Sequence, residues 1–137
     1  MRSELLFAED PSADYGRVQR ASDSADVTIV SSYVGQSWDA VSGAAPKMFI
    51  DFIDHFRNNG RKLIVMAFGN PYLLQQIPAV PAYVVAWGGF PASQTAAARA
   101  FLGNAPITGK LPISIPLGPG MAKISFGTGI VRHTLLR

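Results

Sequence analysis

The 137-residue sequence contains no cysteine, which excludes disulfides, thiolate metal sites and cysteine nucleophiles. It has no carboxylate after Asp54, so any acid or base chemistry by Asp or Glu is confined to the first two-fifths of the chain. No apolar run reaches the ~18 residues that a membrane-spanning helix needs. The start, Met1-Arg2-Ser3-Glu4-Leu5, lacks the basic-then-apolar layout of a signal peptide. Charged residues are only 15% and hydrophobic residues 48%, a balance too apolar for a disordered tail. With 13 Gly and 10 Pro, the chain is too interrupted for a coiled coil. Its length predicts one globular domain.

The net charge of +3 conceals a split. Residues 1–54 carry all nine carboxylates against Arg2, Arg17, Arg20 and Lys47, whereas residues 55–137 carry eight Lys or Arg and no acid. These eight cations are scattered singly apart from Arg61-Lys62, without the basic stripe or interleaved aromatics that nucleic-acid binding uses. Neither a nucleic acid nor a membrane is expected as a partner.

Hydrophobic periodicity predicts alternating strands and helices. Leu5-Leu6-Phe7-Ala8 reads as a short strand, and Ser12 as the cap of a polar helix running to about Ser22. Residues 27–34 are β-branched and aromatic, a strand. From Pro46 to Asn59, Met48, Phe49, Phe52, Ile53 and Phe56 fall on one helical face, with Pro46 at the first position and Gly60 as the stop. Residues 63–68 form a strand, Tyr72 to Gln76 a short helix, residues 83–87 a further strand, and residues 91–102 an Ala-rich helix stopped by Gly103. Strands apolar almost throughout, alternating with helices, predict a parallel sheet covered on both faces. The expected fold class is α/β: a three-layer α/β/α sandwich with a mostly parallel, flavodoxin-like sheet over residues 1–116. Pro112 and Pro116 make residues 111–116 an edge strand or extended arm, leading into a Gly-rich tail over residues 117–137.

Open α/β sheets bind ligands outside the carboxyl ends of their strands. Four loops qualify: Glu9-Asp10-Pro11-Ser12, Gly35-Gln36-Ser37-Trp38-Asp39, Gly69-Asn70-Pro71-Tyr72 and Gly88-Gly89-Phe90-Pro91-Ala92-Ser93. Caps, turns and first-position prolines account for much of them, Asn70 included. Trp38 with Gln36 is an aromatic and a polar neighbour of the kind that holds a sugar ring, while Trp87, ending an apolar strand, is expected in the core. A serine elbow fails because Asp39 stands where its second Gly is required. No dinucleotide or phosphate-loop motif follows a strand. His55, near Asp51 and Asp54, reads as a surface residue paired locally, and His133 lies in the tail, so no metal or other cofactor is expected.

The succession Leu63-Ile64-Val65-Met66-Ala67-Phe68-Gly69-Asn70-Pro71-Tyr72, then Val80-Pro81-Ala82-Tyr83, Pro91-Ala92-Ser93-Gln94, Leu102-Gly103 and Gly109-Lys110-Leu111-Pro112-Ile113-Ser114-Ile115-Pro116 resembles the C-terminal α/β domain of glycoside hydrolase family 3. Its nearest likeness is to the β-N-acetylglucosaminidase branch. Asp26-Val27-Thr28-Ile29-Val30 and Phe126-Gly127-Thr128-Gly129-Ile130 also fit. The resemblance implies a catalytic (β/α)₈ barrel elsewhere in the parent protein that carries the Asp nucleophile and, in this branch, an Asp-His proton-transfer pair. Other branches take an acid/base Glu from this domain, but here the loop over residues 33–39 has none. Family members also have a strand and helix before the position of Leu5, so the chain is expected to be N-terminally truncated.

The resemblance thus implies a non-catalytic domain that packs on a barrel and shapes its sugar site, with Gln36, Ser37, Trp38, Asp39 and Asn70 as substrate-binding rim residues. Carbohydrate would lie between the domains, and the isolated chain is expected to self-associate over its uncovered surface. One alternative is a stand-alone flavodoxin-like module binding a sugar or another protein. Another is a small hydrolase pairing Asp39 with Asp10 or Glu9, since glycoside hydrolysis needs two carboxyl groups across the bond.

Overall fold

The computed structural model describes residues 14–35, 45–118, 120 and 122–135. Within them lies a parallel sheet in the order β1 (Thr28–Ser32), β2 (Leu63–Ala67) and β3 (Tyr83–Val85). The register aligns Val30 with Val65 and Val65 with Tyr83, and likewise Ser31 with Met66 and Met66 with Val84. All three strands are mutually parallel, as the run of apolar segments predicts, and each is shorter than its apolar stretch. The mixed α/β architecture is consistent with a flavodoxin-like domain. The expected strand at residues 5–8 lies outside the described residues.

Three helices and a 3₁₀ turn alternate with the strands of this sheet: α1 (Tyr15–Asp23) before β1, α2 (Lys47–Asn58) between β1 and β2, the turn Pro71–Gln75 between β2 and β3, and α3 (Pro91–Phe101) after β3. The cap of α1 is Asp14, whose Oδ1 accepts from the Arg17 amide at 2.7 Å. Ser12 was the expected cap; it lies outside the described residues, and the carboxylate of Asp14 also suits the positive end of the helix dipole. Pro46 stands at the cap of α2, in extended conformation, one position before the helix proper. Gly60, at φ 62°, ends that helix: its amide donates to the Arg57 carbonyl and the Arg61 amide to that of Phe56, the two bonds of a Schellman stop. Gly103, at φ 79°, ends α3 in the same way, with Asn104 donating to Arg99.

The core forms where α1, α2 and the 3₁₀ turn meet one face of the sheet. Val18, Phe52, Ile53, Phe56, Leu63, Val65, Leu73 and Ile77 make one buried cluster, with Val30 and Tyr83 against it. Tyr15 and Phe56 each meet Phe52 edge-on, at 5.9 and 4.9 Å. Met48 departs from the expected apolar face of α2 and is 53% exposed, because its place in the first turn carries it past the cluster that Phe52, Ile53 and Phe56 fill.

Coverage of both sheet faces holds for the middle strand alone. Four of the five β2 residues are buried, whereas β1 alternates and Ile29 is 49% exposed. Burial follows position, since β1 and β3 are the outer strands among the described residues. Helix α3 buries no residue at all. It is held at its ends. At the front, Gln94 Nε2 donates to the Gly89 carbonyl at 2.8 Å. At the back, the Arg132 guanidinium donates to the Ala100 carbonyl and the Leu135 amide to that of Gly103 at 3.1 Å. A Cβ on Gly103 would lie 2.9 Å from Leu135 Cδ1, so glycine is needed there both for its φ and for the close passage of the chain.

Residues 111–116 do not join the parallel sheet. β4 (Ile115–Pro116) pairs antiparallel with β5 (Lys123–Ile124) in a separate ribbon, the outcome expected of a segment whose prolines cannot donate to a central ladder. Ile115 is buried there beside the 3₁₀ turn.

Candidate functional site

The carboxyl edge of the sheet gathers three described loops: residues 33–35 after β1, 68–70 after β2 and 86–90 after β3. Backbone bonds bind them as an extension of the sheet. The Phe68 amide donates to the Ser32 carbonyl at 2.8 Å, Asn70 to Val34 at 2.9 Å and Ala86 to Ala67 at 2.8 Å. Gly69 permits this closeness, because a Cβ there would fall 2.3 Å from the Val34 carbonyl oxygen.

Aromatic rings line the edge. Tyr33 stacks on Phe68 at 5.0 Å with the planes 8° apart, an offset-stacking separation. Tyr33 also lies over Gly89, whose Cβ would meet its ring at 3.0 Å, and the Phe90 ring similarly closes on Gly88 at 3.1 Å. Phe90 is 73% exposed and Tyr33 52%.

Trp87 stands among them and not in the core, correcting the expectation from its apolar strand. Its φ is 60°, making it the one non-glycine with positive φ among the described residues, and it is 48% exposed. The Gly88 amide donates across it to the Ala86 carbonyl at 2.8 Å, the i-to-i+2 bond of a γ-turn in its rare positive-φ form. β3 ends at Val85, and this turn lifts the indole out of the strand's pleat. A positive φ is announced in a sequence by glycine or asparagine, so tryptophan gave no warning of it.

The other predicted site residues divide by place. Asn70 is at the edge, where its Oδ1 accepts from the Tyr72 amide at 2.9 Å and caps the 3₁₀ turn, so that oxygen is committed to the turn. Gln36, Ser37, Trp38 and Asp39 lie outside the described residues, as do Glu9 and Asp10. Residues 63–98 contain no Asp, Glu, Lys, Arg or His, and residues 33–35 contain none. The described part of the edge is therefore uncharged and supplies no carboxyl group.

The described carboxylates belong to other parts of the molecule. Asp51 pairs with Lys47 at 2.6 Å and Asp54 with Arg57 at 3.4 Å. With those partners taken, His55 does not pair with either local acid. Its Nε2 meets Asp23 Oδ1 at 2.9 Å, and its Nδ1 lies 3.1 Å from Gln19 Nε2. The imidazole is thus a polar link between α1 and α2. Among the described residues, no group of three His, Asp or Glu side chains converges to hold a metal.

Comparison with curated proteins gives no match, nor does comparison with solved structures. A family model, the glycosyl hydrolase family 3 C-terminal domain, matches residues 9–126. That span includes all three parallel strands, the three helices and the ribbon. The chain belongs to the family of glycosyl hydrolase family 3 C-terminal domains.

Proposed function

We propose that this chain serves as the non-catalytic C-terminal domain of a family 3 β-N-acetylglucosaminidase, packing on a catalytic (β/α)₈ barrel and closing over its sugar site. The observation that carries the reading is the described part of the carboxyl edge, which is aromatic and holds no carboxylate. Hydrolysis of a glycosidic bond needs two carboxyl groups, about 5–5.5 Å apart for retention or 6.5–9.5 Å for inversion. Loops 33–35, 68–70 and 86–90 offer none. What such an edge can supply is shape and exclusion of water around a sugar held by another domain, which affects positioning and not bond-making. Gln36, Ser37, Trp38, Asp39 and Asn70 form the proposed rim, and carbohydrate is the proposed ligand between the domains.

The choice of an N-acetylglucosaminide over a glucoside rests on the G-N-P-Y stretch at Gly69-Asn70-Pro71-Tyr72, the closing Gly109-Lys110-Leu111-Pro112 and the lack of Glu in the loop after β1. The test is turnover of chromogenic β-N-acetylglucosaminide and β-glucoside by the purified chain, alone and with a family 3 barrel from the same branch. The chain alone is expected to be inactive and to alter the barrel's KM for the N-acetylglucosaminide. Turnover by the chain alone, lost in Asp39→Asn with the fold intact, overturns the proposal. Without a barrel, the outer strands and bare apolar positions such as Ile29 favour self-association, to be read as a concentration-dependent mass in light scattering.

A further inference from the structure

Asn59 and Gly60 stand at the stop of α2, both exposed, where the chain turns from the helix towards the amino end of β2. That end of the parallel sheet is opposite the candidate site. An asparagine before a glycine carries a reaction of its own. The backbone nitrogen of the following residue attacks the side-chain amide carbon, ammonia leaves and a cyclic imide forms. Water then opens the imide at either carbonyl, giving aspartate or its backbone isomer isoaspartate, so that amide and water become acid and ammonia. Glycine favours the attack because no Cβ crowds its nitrogen. The other asparagines are less well followed: Asn70 precedes Pro71, which has no N–H to give up, while Asn58 and Asn104 precede Asn59 and Ala105, whose side chains crowd the attacking nitrogen.

The folded turn holds the reaction back. Asn59 has ψ 9°, which points the Gly60 nitrogen away from the Asn59 side chain, and the Gly60 N–H is tied to the Arg57 carbonyl at 3.2 Å. The side chain is tied as well: its Nδ2 donates to the His55 carbonyl at 2.9 Å and meets His55 Nδ1 at 3.2 Å. His55 is in turn fastened to Asp23 of α1 at 2.9 Å, and the Arg61 guanidinium donates to the Asp23 carbonyl. Imide closure therefore requires the end of α2 to fray, as helix ends do, and the contacts with α1 set how often it opens.

We infer that Asn59 is a site of spontaneous deamidation, gated by the contact of α1 with the end of α2, and that its product releases that contact. The product puts a carboxylate beside the His55 carbonyl oxygen, where an amide N–H had donated, and beside the lone pair that a neutral imidazole keeps on Nδ1 when Nε2 donates to Asp23. It also puts negative charge at the negative end of the α2 dipole. Isoaspartate adds a methylene to the backbone inside the Schellman stop that Gly60 and Arg61 close. The modified chain is thus held less firmly at α1 than the parent.

The test ages the whole chain in heavy-oxygen water at mildly alkaline pH, with the peptides around the four asparagines then weighed by mass spectrometry. Heavy oxygen is expected at residue 59, as aspartate and isoaspartate together, well before any at Asn58 or Asn104 and with none at Asn70. In urea, which opens the turn, the rate at Asn59 should rise at least about tenfold, the worth of one or two hydrogen bonds, and His55→Ala in the folded chain should raise it roughly fivefold. Asn59→Asp, which makes one product directly, is expected to lower the thermal midpoint, and the aged parent chain should show the same loss even if that variant fails to fold. No heavy oxygen at residue 59 in either state, or uptake at Asn58 or Asn104 as fast as at Asn59, overturns the site. Equal rates in the folded and urea-opened chains overturn the gate, as does a slower rate in His55→Ala. An aged chain that unfolds at or above the parent's midpoint overturns the release of α1.

Discussion

Replacing Gly69 with alanine is the sharpest perturbation of the site's frame. The added Cβ would lie 2.3 Å from the Val34 carbonyl oxygen and 3.1 Å from its carbon. Both are backbone atoms that cannot rotate away. Restoring ordinary contact requires the loops after β1 and β2 to part by about 1 Å, with the strain that overpacking brings, about 1–3 kcal/mol. The same movement breaks the 2.9 Å bond from the Asn70 amide to the Val34 carbonyl, a further loss of about 1 kcal/mol. Against this, alanine restricts the unfolded chain and returns about 0.4–1 kcal/mol. The expected net destabilisation is roughly 1–3.5 kcal/mol, which at a urea slope of about 2 kcal/mol/M lowers the unfolding midpoint by about 0.5–2 M. Gly35→Ala is the matched control, because nothing lies within 4 Å of its Cβ, and it should stay within about 0.5 kcal/mol of the parent. Equal midpoints for the two variants would refute the claim that the edge depends on this close approach.

Trp87→Gly should stabilise the fold by about 1 kcal/mol, because a left-handed conformation costs an L side chain about 1–2 kcal/mol and the greater freedom of glycine when unfolded offsets part of that; a lower thermal midpoint would deny the strain. Phe56, fully buried against Phe52, should cost about 3–5 kcal/mol when cut to alanine, and a midpoint near the parent's would mean that the cluster at α2 is not the core. Burial raises the Tyr83 phenol well above its ordinary 10.0, against a smaller opposing effect of the Leu74 backbone. The folded chain therefore holds that proton more tightly than the unfolded one, and this contribution to stability is whole below pH 10 and lost as pH climbs through the folded value. Tyr83→Phe should flatten the alkaline fall in stability above pH 10. It should also cost about 1 kcal/mol at neutral pH for the bond to the Pro71 carbonyl, 3.2 Å long; an unchanged alkaline slope would refute the assignment.

The parallel sheet was legible because its strands are short apolar runs and its helices end on glycines. Gly60 and Gly103 both stand at positive φ, where the end of each periodic segment put them. Exposure was less legible, since it depends on how many strands flank a given one. Ile29 and Met66 look alike in sequence, yet the outer strand leaves Ile29 half exposed while the middle strand buries Met66. His55 was misread for a related reason: its partner is Asp23, 32 residues away, and only the packing of α1 on α2 joins them. Asn70 was legible twice over, as a cap and as an edge residue. Trp87 was misread as core, because an indole at the end of an apolar strand ordinarily continues inward, and its positive φ carries it out instead.

The suspension of α3 by its two ends makes it a lever. Eleven residues at 1.5 Å each span about 16 Å, so a tilt of about 5° about the end held by Arg132 and Leu135 swings the other end by about 1.4 Å. The swinging end begins at Pro91, immediately after the loop that carries Trp87 and Phe90. A substitution at Arg132, 45 positions downstream of the indole, therefore acts on the aromatic edge without touching it, and its effect would be felt in the loop's aim while the buried cluster of α2 and β2 stayed as it was.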